Sequence, residues 1–152
     1  MLGTRVVEVR VLDLYAGSGA LGLEALSRGA SGAVLVDADS EAIRAIGQNV
    51  KALSYQDRTV VKKMRAERFV QEAVAQGLRF TVIFCDPPWI QGLSTTVQGT
   101  LHRLLKPGGV ILVEHQKADA PPVLDQLIAT RDRAWGDTQV TWYQEVAKGV
   151  LT

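Results

Sequence analysis

The chain has 152 residues, 47% hydrophobic and 22% charged, enough for one sizeable globular core and unlike disorder, collagen or a coiled coil. No apolar run approaches the ~18–20 residues that cross a bilayer, the first residues lack the apolar core of a secretory signal, and the single cysteine, Cys85, has no internal partner. Seventeen Lys and Arg against 16 Asp and Glu leave a net charge of +1, so the molecule as a whole does not steer nucleic acid strongly, which leaves room for a local patch. These features lead us to expect a single domain over residues 1–152, cytoplasmic and monomeric, with no membrane association.

Val9 to Leu14 reads as a first strand. The Gly-rich turn Ala16-Gly17-Ser18-Gly19 follows, then a short helix with Leu21, Leu23, Ala25 and Leu26 that ends at Gly29. Ala33 to Asp37 is a second buried strand. From about 40 to 53, Ile43, Ile46, Val50 and Leu53 recur at helical spacing behind Asp39 or Ser40 as a cap. Thr59 to Lys62 is a third, shorter strand, and Phe69, Val70, Ala73 and Val74 mark a helix closed by Gly77. Phe80 to Cys85 is the clearest strand. Leu93, Val97, Leu101, Leu104 and Leu105 form a helical stripe stopped by Lys106-Pro107-Gly108-Gly109. Val110 to Val113 is a fifth strand, and Pro121-Pro122 is expected to start a helix carrying Val123, Leu124, Leu127 and Ile128. Thr138 to Tyr143 alternates as a sixth strand, and Glu145 to Leu151 is expected as a seventh. Strands alternating with helices imply a Rossmann-like α/β fold, a mostly parallel sheet with helices on both faces. In such sheets ligands sit outside the carboxyl ends of the strands.

Those ends carry the informative residues. Gly17, Gly19 and Gly22 spell G-x-G-x-x-G between a strand and a helix, where the backbone turns sharply and a ligand approaches without meeting a Cβ. Asp37 ends the second strand fifteen residues later, placed to accept from two ribose hydroxyls. Asp13 stands just before the glycine loop. A carboxylate is a poor neighbour for a pyrophosphate and a good one for an ammonium, such as that of S-adenosylmethionine; a local hydrogen bond to the loop is the plainer reading. The fourth strand ends in Asp86-Pro87-Pro88-Trp89. The two prolines stiffen this loop. The Asp86 carboxylate and Pro87 carbonyl then offer two adjacent acceptors to a substrate –NH2, and Trp89 a flat face for an extruded base. A rigid turn with a buried tryptophan is the alternative.

Together these residues resemble the class I S-adenosylmethionine-dependent methyltransferases that modify exocyclic amines. Within them, Val11 to Ala30, Phe80 to Trp89 and Trp135-Gly136-Asp137-Thr138 look like the RsmD family of guanine-N2 methyltransferases acting on small-subunit ribosomal RNA. The resemblance implies the seven-stranded class I methyltransferase fold, S-adenosylmethionine as cofactor, and ribosomal RNA or the small subunit as partner. It implies Asp86, Pro87, Pro88 and Trp89 as the catalytic loop, and Asp13, Ala16, Gly17, Gly19 and Asp37 at the cofactor. It also implies an adenine contact at Ala66 or Glu67; Glu67 reads equally as a first-turn acid favoured by the helix dipole. Phe or Tyr is commoner than Trp at position 89. Members of that family carry a basic segment before the first strand, whereas here that strand is expected within about ten residues of Met1, so target recognition is expected to be the less complete half.

Other features are weaker. Lys62, Lys63, Arg65 and Arg68 form a basic cluster, read first as a solvated face and second as an RNA backbone contact. Glu114-His115, after the fifth strand, are placed to line the substrate side. No Cys and second His stand at ligand spacing, so no metal is expected. The competing functions are an adenine-N6 methyltransferase of DNA, a shortened cofactor-binding relative without turnover, and an NAD(P)-dependent oxidoreductase. The last leaves Asp86-Pro87-Pro88-Trp89 unexplained.

Overall fold

A computed structural model describes residues 9–88 and 90–146. Its strands are β1 (Arg10–Leu14), β2 (Gly32–Asp37), β3 (Thr59–Lys63), β4 (Phe80–Cys85), β5 (Leu105–Gln116), β6 (Leu127–Trp135) and β7 (Thr138–Glu145). The α-helices are α1 (Ala20–Ser27), α2 (Ser40–Ala52), α3 (Ala66–Ala75) and α4 (Thr95–Thr100). One seven-stranded sheet has the order β3-β2-β1-β4-β5-β7-β6. Its first five strands pair in parallel, and β7 runs antiparallel to both β5 and β6.

Period-two alternation along the central strands sends side chains to two cores. Leu12, Leu14, Val34 and Val36 pack with Phe69, Val70 and Val97 on one face. Val11, Ala33 and Leu35 pack with Leu23, Leu26, Ile46 and Val50 on the other. Helices α1 and α2 therefore cover one face of the sheet, and α3 and α4 the opposite one. Gly22 lets α1 settle on the sheet: a Cβ there would collide with the Leu35 side chain. After β3 the chain crosses back to lay β4 beside β1, so the strand order reverses between β1 and β4. A crevice opens at that switch, at the carboxyl ends of the strands.

Two expectations are corrected. Residues 123–128 do not form a helix. Gln126 takes a φ of 66°, which a helix interior does not tolerate, and Leu127 already begins β6. Leu124 still reaches the core, so the apolar spacing is real while its period is misleading. Pairing with β7, from Leu127 opposite Glu145 to Trp135 opposite Thr138, decides the conformation. The hairpin so formed supplies the seventh strand, and residues 147–151, expected in a strand of their own, lie outside the described residues. The stripe from Leu93 to Leu105 also shortens. Helix α4 ends at Thr100, Leu101–Leu104 tighten into a 3-10 turn, and β5 already begins at Leu105 and bulges against β4 at Lys106-Pro107-Gly108-Gly109.

Candidate active site

The turn from β1 into α1 is built on left-handed backbone. Gly17 has φ 59° and Gly19 φ 84°, a region open to glycine at little cost. The Gly19 N–H donates to the Ala16 carbonyl at 2.8 Å, and the Ala16 N–H to the Val36 carbonyl at 2.9 Å. Asp37, at the end of β2, ties this loop to the neighbouring strand. Its Oδ2 accepts the Gly17 N–H and its Oδ1 the Asp39 N–H, both at 2.9 Å. Each carboxylate oxygen keeps a second lone pair that can face the cavity. Asp39 caps α2, its side chain accepting from the Glu41 N–H.

A cavity of about 700 Å3 runs along the strand ends. Of the sequence-expected residues, Gly17, Asp37, Ala66, Glu67, Asp86, Pro87 and Pro88 line it. Asp13, Ala16 and Gly19 are not among the residues that line it. Trp89 lies outside the described residues. Asp13 is 1% exposed, and its Oδ2 accepts the Gly22 N–H at 3.0 Å. Burial pushes this carboxyl up to about 7, against the pull of that hydrogen bond and with a further push from Asp37. The structure thus places Asp13 under the glycine loop, away from the cavity wall.

Glu67 lies in the first turn of α3 and also lines the cavity. Its carboxylate is held below the usual range first by its own backbone N–H at the helix N-terminus, with help from Ser94 and Arg65. Arg65 lies 3.5 Å from it. The rest of the basic cluster is engaged locally: Arg68 pairs with Glu72 at 2.9 Å and Lys63 donates to Ser40 Oγ at 2.6 Å, with Lys62 exposed.

The Asp86 loop forms the far wall. Pro87 is buried, and the Pro88 carbonyl accepts the N–H groups of Gln91 and Gly92 at 3.1 and 2.8 Å, which folds the loop back on itself. Glu114 of β5 lines the same wall. Partial desolvation first, then the neighbouring Glu114 carboxyl and the negative charge of Asp13, push Asp86 up to about 7.

Two further wall residues carried no motif. Met64 lines the β3 end. Tyr15 has φ 67°, and its buried hydroxyl has no partner among the described residues. Glu114 lines the cavity as expected, and His115 lines a second, smaller cavity beside it, its Nε2 2.8 Å from Thr141 Oγ1. The signal for Glu114 was its place at the carboxyl end of a strand adjacent to β4.

The family model for "Conserved hypothetical protein 95" matches residues 1–144. A putative rRNA methyltransferase, YlbH, of Bacillus subtilis is 35% identical over 95% of this chain and 80% of its own length. Ribosomal RNA small subunit methyltransferase D of Escherichia coli is 31% identical over 95% of this chain and 72% of its own. A conserved hypothetical protein of Streptococcus pyogenes has a solved structure that superposes with a TM-score of 0.80 at 33% identity, covering 91% of this chain and 86% of that one. The chain belongs to the conserved hypothetical protein 95 family, that of the RsmD-like methyltransferases.

Proposed function

We propose that this chain is an S-adenosylmethionine-dependent methyltransferase that methylates guanine N2 in small-subunit ribosomal RNA, free or in the assembled subunit. The proposal includes a single domain working as a monomer in the cytoplasm. One observation carries it: a single cavity joins the Asp37–Glu67 end to the Asp86-Pro87-Pro88 loop. The residues present fit the cofactor. Asp37 accepts from the ribose hydroxyls, and Ala66 and Glu67 border the adenine. Asp13, with Ala16 and Gly19, serves by holding the glycine loop in shape, not by touching the ligand.

When bound, the cofactor supplies an electrophilic methyl group on a sulfonium. The chain's own part is positioning and electrostatics. The ionised Asp86 and the Pro87 carbonyl accept the two hydrogens of the target amine and aim its lone pair along the line of transfer. Asp86 also faces the positive charge that grows on that nitrogen. Trp89 offers a stacking face for the base taken out of its helix.

The test is transfer of a tritiated methyl group to naked ribosomal RNA and to small subunits, with DNA as control. Label in RNA or subunits, recovered as N2-methylguanosine and lost in Asp86→Ala, is expected. Label in DNA alone would replace the reading with adenine-N6 methylation.

A further inference from the structure

The loop at Asp86 offers acceptors for an amine, and guanine, adenine and cytosine all carry an exocyclic amine. Something else has to tell them apart. Cys85 pairs with Val113 across the β4–β5 ladder, so Asp86, just past the end of β4, stands beside Glu114, which is still within β5. Both line the main cavity. Glu114 lines both the main cavity and a second one of about 230 Å3, which also shares Pro87 and Gly92. It therefore stands where a base presented to the Asp86 loop from the second cavity would bring its hydrogen-bonding edge. Resting on the amine-methylation reading above, we propose that Glu114 selects guanine, its carboxylate accepting the N1–H of the target base while Asp86 and the Pro87 carbonyl accept the N2 hydrogens.

The chemistry of the bases supplies the selection. On guanine, N1–H stands next to the N2 amine, three hydrogens on two neighbouring nitrogens. On adenine the N6 amine stands next to N1, and on cytosine the N4 amine next to N3; both neighbours are bare lone pairs. A carboxylate set against a lone pair repels it, and one set against N1–H makes a charge-assisted hydrogen bond. Arg65, a cation in the main cavity wall, is engaged by Glu67 and does not neutralise the pair. Two neighbouring carboxyls in one cavity wall suit a ligand edge rich in donors.

The discriminating probe is 2-aminopurine, which keeps the amine at C2 and lacks N1–H. The full chain, loaded with S-adenosylhomocysteine, is titrated calorimetrically with guanosine 5′-monophosphate, adenosine 5′-monophosphate and the 2-aminopurine riboside monophosphate. The guanosine nucleotide is expected to bind ~10–100-fold more tightly than the 2-aminopurine one. Glu114→Gln, close to isosteric, is expected to bring the two within ~3-fold, because an amide meets N1–H and a bare N1 about equally well. Glu114→Asp, which keeps the charge on a shorter stem, retains part of the preference. Affinity for S-adenosylhomocysteine stays as in the wild type in both, which also reports that they fold. Equal wild-type affinity for the two purines, or full preference in Glu114→Gln, overturns the proposal. A wild-type chain that ranks the nucleotides as expected but fails to bind S-adenosylhomocysteine counts against the methyltransferase reading and leaves Glu114 standing.

Discussion

Asp37 and Asp86 end two strands of one sheet and line one cavity, yet their surroundings are opposite. Asp37 has each oxygen already held by a backbone N–H, from Gly17 and Asp39. Asp86 has another carboxyl, Glu114, as its neighbour. In the cofactor half, Asp37 is therefore held in place by the chain itself before any ligand arrives. The acceptor half is short of donors, and a substrate amine supplies them. Removing Asp37 should disturb binding of the cofactor, and removing Asp86 should disturb the reaction.

The largest expected effect is on rate. Asp86→Ala is expected to lower kcat for methyl transfer by ~10²–10³-fold, the cost typical of deleting one preorganised group aimed at developing charge. Calorimetry should find its affinity for S-adenosylhomocysteine within ~2-fold of wild type. A matching loss of cofactor affinity would erase the division between the two halves. Next comes Asp37→Ala, which removes two loop anchors and the ribose acceptor together. Its affinity for S-adenosylhomocysteine is expected to fall ~10–100-fold, since hydrogen bonds to a charged group are worth ~1.5–3 kcal/mol each and water takes up part of the loss. At saturating cofactor its kcat should recover more than that of Asp86→Ala.

The acid limb of the pH profile sharpens the comparison further. On the proposed mechanism Asp86 stabilises the positive charge growing on the amine only when ionised, and its carboxyl is raised to about 7. As pH falls through that value the protonated form takes over, so kcat/KM should drop about tenfold per unit on the acid side and level off above it. Glu114, Asp13 and the partial burial of the site raise this group. Asp86→Asn keeps an acceptor oxygen and cannot titrate, so its profile should be flat across the same range at a lower plateau. An unchanged acid limb in Asp86→Asn would assign the titration to another group.

The two halves were unequally legible in the amino-acid sequence. The glycine loop, Asp37 and the Asp86-Pro87-Pro88 run are contiguous or fall at fixed offsets from a strand, so one-dimensional spacing reveals them. Glu114 is 28 positions from Asp86 and meets it through the β4–β5 ladder, which no local pattern announces. The same reason hides β6. Val123, Leu124, Leu127 and Ile128 have helical spacing, and only the pairing with β7 overrides it. Asp13 was legible as an unusual residue, but whether it faced ligand or loop depended on how closely α1 approaches the sheet at Gly22.

Asp13 also gives the smallest expected effect, on stability. Its folded-state carboxyl is raised to about 7 from 3.8, so between those values the folded chain holds a proton that the unfolded chain has lost. Stability from this group is therefore greatest at low pH, falls as pH rises towards 7 and is level above it. Asp13→Asn keeps an oxygen to accept the Gly22 N–H and removes the buried charge. Its melting temperature at pH 8 is expected to rise by ~2–4 °C, with little change near pH 4. Measured by scanning calorimetry at both pH values, a gain only on the alkaline side supports a loop-holding Asp13. Its affinity for S-adenosylhomocysteine, expected within ~3-fold of wild type, decides the point from the other direction, because a carboxylate that met the ligand's ammonium directly would lose a charge-assisted contact worth more than that.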